Sequence, residues 1–97
     1  MSAEKARILV ADDEVAIADL VVRVMETEGM SAKAVYGGLA ALREIESGAY
    51  DLAILDVMMP DLDGFEVCRR ARAATDMPIV FLTAKDEDVD QIVGLSL

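Results

Sequence analysis

Three short apolar runs punctuate the chain, and each ends on a polar residue. Ile8-Leu9-Val10-Ala11 stops at Asp12-Asp13, Leu52-Ala53-Ile54-Leu55 at Asp56, and Ile79-Val80-Phe81-Leu82 at Thr83-Ala84. Continuous apolar runs of this length suit strands covered on both faces, as in a parallel sheet. Between them the period changes. From Val15 to Glu28 the apolar residues Ile17, Leu20, Val21, Val24 and Met25 recur at helical spacing, which predicts one buried face. Gly29 then stands where a left-handed helix cap belongs. A second strand is predicted at Ser31 to Val35, a turn at Gly37-Gly38, and a helix from Ala40 to Glu46 burying Ala41, Leu42 and Ile45. A third helix is predicted from Gly64 to Ala73, burying Val67, Cys68 and Ala71. A fourth starts near Asp86 with Val89, Ile92 and Val93 inward, and runs out in the apolar, uncapped Gly94-Leu95-Ser96-Leu97.

Strands alternating with helices through short connections predict an α/β fold, a parallel sheet with helices on both faces. Ligands of such sheets bind beyond the carboxyl ends of the strands. Asp12, Asp13, Asp56 and Thr83 are therefore expected to meet at one edge. Three crowded carboxylates repel unless a cation holds them, so the arrangement implies a metal.

Composition narrows the chemistry. Ninety-seven residues make one domain, 1–97, and 55% hydrophobic content is enough for a real core. The formal net charge of -10 argues against gripping nucleic acid or an anionic membrane directly. There is no histidine, which excludes His-based catalysis and Cys/His zinc sites, and the one cysteine, Cys68, reads as a buried thiol. No signal peptide is visible and no apolar stretch would span a bilayer, so a cytoplasmic protein is expected.

Each candidate residue has a plainer reading. Asp12-Asp13 can cap the first helix, or supply oxygens to a hard cation such as magnesium. Thr83 can be a cap, or donate to a phosphoryl oxygen. Met58-Met59 can be core filler. Asp56 resists a plain reading, because a carboxylate ending a buried strand is costly unless paired or metal-bound. Aspartate is a known nucleophile toward phosphoryl groups. In Met58-Met59-Pro60-Asp61-Leu62-Asp63-Gly64, proline and glycine make a tight turn and Asp63 can cap the third helix.

The strings Ile8-Leu9-Val10-Ala11-Asp12-Asp13-Glu14, Leu55-Asp56-Val57-Met58-Met59-Pro60-Asp61-Leu62-Asp63-Gly64 and Leu82-Thr83-Ala84-Lys85 together resemble the receiver domain of two-component response regulators. Leu82-Thr83-Ala84-Lys85-Asp86 and Val93-Gly94-Leu95 resemble the OmpR/PhoB-type regulators in particular. The resemblance implies a CheY-like, flavodoxin-like doubly wound sheet. It implies that Asp56 accepts phosphate from a histidine kinase. Asp12, Asp13, Asp56 and the Met58 backbone carbonyl would hold Mg2+, and Thr83 would be the switch residue. Met58 and Lys85 match variable positions that tune phosphate lifetime. The expected output is control of transcription, with DNA reached only through an output domain absent from this chain.

The chain departs from the family where the fifth strand and fifth helix should follow. The resemblance thus implies strand order 2-1-3-4, without the lysine and aromatic switch residue of that strand. Lys85, which follows strand four, does not replace the lysine. An unpaired edge at Ile79-Val80-Phe81-Leu82 would favour a homodimer. Two other readings stand beside this one. An Asp-nucleophile phosphatase would want a second aspartate where Met58 stands, and an interaction module with a vestigial acidic pocket would not need all four strand-tip residues.

Overall fold

The computed structural model describes residues 5–82 and 94–96. Four strands, β1 (Arg7–Ala11), β2 (Ser31–Val35), β3 (Leu52–Asp56) and β4 (Ile79–Leu82), are joined by α1 (Val15–Thr27), α2 (Gly38–Glu46) and, between β3 and β4, α3 (Gly64–Ala71). The strands pair in parallel in the order β2-β1-β3-β4, the doubly wound order expected.

Inside the apolar runs a two-residue alternation divides the core. Leu9, Ala11, Ala53, Leu55, Ile79 and Phe81 face α2 and α3, meeting Ala41, Ile45, Val67, Cys68 and Ala71. Ile8 and Val10 face the other way, toward Ala18 of α1, with half-buried Val21, Val22 and Met25 packed beside them. Helices thus cover both faces, which is why the strands read as unbroken apolar runs. Cys68 is buried, as expected.

Several boundaries and faces differ from expectation. Leu20 and Val24, expected to be buried on α1, are 56% and 46% exposed. At roughly 100° per residue they lie about 160° and 120° round the helix from Ala18, the residue that touches the sheet. Gly29 closes α1 at φ 88°, with Met30 N–H bonded to the Met25 carbonyl (3.1 Å) and Gly29 N–H to that of Glu26 (3.0 Å), the paired bonds of a Schellman ending. The helix expected from Asp86 lies outside the described residues. Gly94-Leu95-Ser96, expected at its end, instead form a short strand, β5 (Gly94–Ser96), antiparallel to β4. Ser96 pairs with Ile79, Leu95 with Val80 and Gly94 with Phe81. The β4 edge is therefore occupied along three of its four residues, contrary to the unpaired edge expected. Among the described residues no further parallel strand follows β4.

Candidate functional site

Parallel register sets the site. Ala11 lies opposite Leu55 in the β1–β3 ladder, so Asp12 and Asp56, each the next residue, leave the sheet level with one another. Asp12 N–H bonds to the Val35 carbonyl at 3.2 Å and extends the β1–β2 pairing past the strand's end. Asp56 is the last residue of β3 and pairs with Leu82. Thr83 lies outside the described residues.

The two adjacent aspartates have different environments. Asp12 is 4% exposed and its Oδ1 accepts the Glu14 N–H at 2.9 Å, while Asp13 is exposed. Neither caps α1. Glu14 holds the N-cap position, in extended conformation and with no side-chain cap bond. The capping reading of Asp12-Asp13 therefore fails, and both carboxylates stand close to Asp56.

Carboxylate oxygens of Asp12, Asp13 and Asp56 all lie within 4.8 Å of one another. None of the three forms an ion pair with lysine or arginine among the described residues. The two buried carboxyls are perturbed by this crowding. Burial, and next the Asp12 charge, push the Asp56 carboxyl up to about 6, against a backbone hydrogen bond from Met58 that favours the ionised form. Asp12 is also raised, first by burial and then by the Asp13 charge, with the Glu14 N–H opposing. Two buried carboxylates and an exposed third, all oxygen donors, fit a hard divalent cation, which would relieve the repulsion.

The segment after Asp56 is built around that aspartate. Val57 N–H bonds to the Leu82 carbonyl (3.1 Å) and Gly64 N–H to the Val57 carbonyl (2.9 Å), closing residues 57–64 into a compact loop. A Cβ on Gly64 would sit 2.3 Å from the Asp56 carbonyl oxygen, so only glycine allows α3 to start there. Asp63 caps α3, its Oδ1 accepting the Glu66 N–H at 2.8 Å, as expected. The methionine pair divides. Met59 is buried in the core, whereas Met58 is 63% exposed and lines, with Asp13, Met59 and Pro60, an open cavity of about 330 Å³ beside the carboxylates.

One residue of this loop was not singled out from the sequence. Asp61 accepts hydrogen bonds from the backbone N–H groups of Gly38 and Leu39 at the start of α2, at 2.9 and 3.0 Å. The available signal was Gly37-Gly38, a helix start with no Ser, Thr, Asp or Asn to cap it.

Comparison with known proteins agrees with this fold. Residues 8–97 match the family model described as the response regulator receiver domain. The chain is 50% identical over 91 residues to the regulatory protein VanRc of Enterococcus gallinarum, covering 94% of this chain and 39% of that protein. It is 37% identical over 90 residues to the sensory transduction protein RegX3 of Mycobacterium bovis, covering 93% and 40%. The chain thus spans about two fifths of the length of these curated relatives. Among solved structures, the receiver domain of the Francisella response regulator 1452 superposes with a TM-score of 0.80 at 31% identity, over 91% of this chain and 74% of that one. A two-component response regulator from Clostridium difficile gives 0.76 at 29% identity, over 88% and 72%.

Proposed function

Since the chain belongs to the response regulator receiver domain family, we propose that it is a phosphoacceptor module in which Asp56 takes a phosphoryl group from a sensor histidine kinase. The observation that carries this reading is the raised, buried Asp56 beside two further carboxylates at the open end of the sheet. A carboxylate oxygen of Asp56 bonds to phosphorus as the bond from phosphorus to the donor's imidazole nitrogen breaks. The electron pair stays on that nitrogen, which then takes a proton. Asp12, Asp13, Asp56 and the Met58 carbonyl are the groups that would hold Mg2+. Bound there, the ion would offset the charge of the carboxylates and of the phosphoryl oxygens. Thr83, next after Leu82, is the proposed switch residue.

Beyond its own phosphoryl transfer the domain acts as a signalling unit rather than an enzyme on other substrates. We place it in the cytoplasm; among the described residues no helix is long and apolar enough to cross a membrane. Its output is transcriptional control, with DNA bound by an output domain outside these residues, since a net charge of -10 repels DNA. The homodimer loses the support of an unpaired β4 edge, since β5 occupies it; what favours it here is a different feature, the exposed apolar pair Leu20 and Val24 on α1.

The test is incubation with acetyl phosphate and Mg2+, followed by intact-mass measurement. One phosphoryl group should be added to the wild-type chain, and none in EDTA or in Asp56→Ala. An unlabelled wild type, or labelling that survives Asp56→Ala, overturns the assignment. Binding of beryllium fluoride with Mg2+ gives the same decision without turnover.

A further inference from the structure

We propose that Asp61 is a positioning residue for the cation site: it clamps the β3–α3 loop to the first turn of α2 and so holds the Met58 carbonyl in register with Asp13 and Asp56. This rests on the functional reading above, which assigns no task to Asp61.

The first N–H groups of a helix have no partner within it, and a negative charge there is favoured. At α2 those donors are served from another part of the chain. Asp61 Oδ1 accepts the Gly38 N–H (2.9 Å) and its own neighbour's, Leu62 N–H (2.9 Å), while Oδ2 accepts the Leu39 N–H (3.0 Å). One carboxylate therefore joins two elements 23 positions apart. The approach is backbone against backbone: a Cβ on Gly38 would lie 1.9 Å from the Leu62 carbonyl oxygen. Gly38 is in the left-hand or right-hand sense unremarkable, with no positive φ, so it is space and not conformation that requires glycine.

The post to which the loop is tied is rigid, because Ala41 and Ile45 of α2 are buried in the main core. The loop has two further anchors. Its base is closed by the Gly64-to-Val57 bond, and Met59 is buried in that same core. Met58 lies between Asp56 and Met59, with its side chain outward and its backbone committed to the loop. Leu62 also packs against that core, but among the described residues the side-chain hydrogen bonds from this loop to α2 come from Asp61. A backbone carbonyl serving a cation has no side-chain rotamer to adjust, so its position depends on such supports.

The experiment is Mg2+ titration by calorimetry on the full chain, comparing wild type, Asp61→Ala, Asp61→Asn and Leu42→Ala. Leu42 packs against the core from α2 and is not one of the proposed ligands, so it serves as the control for destabilisation. Asp61→Ala should weaken Mg2+ binding by about tenfold, the lower end for an outer-shell support. Asp61→Asn, which keeps one accepting oxygen, should lose less. Leu42→Ala should lower Tm with unchanged Mg2+ affinity. Amide exchange at Gly38 and Leu39 should quicken in Asp61→Ala. Wild-type affinity in Asp61→Ala, or an equal loss in Leu42→Ala, overturns the clamp. If Asp61→Ala does not fold, Asp61→Asn decides, and unchanged affinity there overturns it. A wild type that binds no Mg2+ overturns the functional reading itself, and the clamp with it.

Discussion

Replacing Asp56 with asparagine should make the metal-free chain more stable while removing its function. The carboxyl of Asp56 is moved from 3.8 to about 6, chiefly by burial and by the charge of Asp12. A raised acid binds more protons folded than unfolded, so stability falls as pH rises from about 4 to about 6 and stays low above. At about 1.4 kcal/mol per pKa unit, the full displacement corresponds to roughly 3 kcal/mol at pH 7.5. The cavity beside the site is open, so solvent relieves part of this, and the asparagine amide must still find partners. A net gain of about 1–2 kcal/mol is expected, which for a chain of this size raises Tm by roughly 5–10 °C. The assay is thermal unfolding by far-ultraviolet circular dichroism in EDTA, at pH 7.5 and pH 5. The advantage of Asp56→Asn should roughly halve at pH 5, where the wild-type carboxyl is mostly protonated in the fold. Adding Mg2+ at pH 7.5 should raise the wild-type Tm and leave the variant little changed. A variant no more stable than wild type at pH 7.5, or an advantage independent of pH, would refute the electrostatic account of this site.

Three further outcomes follow from the same structure. Asp13→Ala should weaken Mg2+ binding at least about tenfold, on the scale set by lost ligand support, with little change in Tm because Asp13 is exposed; calorimetric titration and melting on the same sample check both halves. Gly64→Ala places a Cβ 2.3 Å from the Asp56 carbonyl oxygen, so it should cost about 1–3 kcal/mol as an overpacked contact and slow acetyl phosphate labelling, read by chemical denaturation and intact mass. In sedimentation velocity at micromolar concentration the chain should run as a dimer, and Leu20→Lys with Val24→Lys on α1 should return it to monomer; a wild type that is monomeric with a cooperative thermal transition shows that the apolar α1 surface needs no cover.

The element order as far as β4, the bounds of β1, β2 and β4, the Asp63 cap and the burial of Cys68 were legible along the chain, and so were the strand ends that carry Asp12, Asp13 and Asp56. These depend on periodicity and on neighbours within a turn or two, which act on any segment wherever it is packed. Other features required the assembled fold. Which of two adjacent aspartates is buried depends on how the β1–β3 register meets the α1 start, and local capping rules assigned that start to the wrong residue. Met58 and Met59 are the same residue type, yet one is buried in the core and the other exposed beside the carboxylates, because a loop closed by Gly64 turns them apart. Leu20 and Val24 fit the helical stripe but face away from the sheet residue that fixes the helix's rotation. Gly94-Leu95-Ser96 is strand only because β4 offers it a free ladder edge. Asp61 acts across 23 positions on the first turn of α2. A contact of that span leaves no periodic trace in sequence, since its partners are backbone N–H groups that every residue except proline carries.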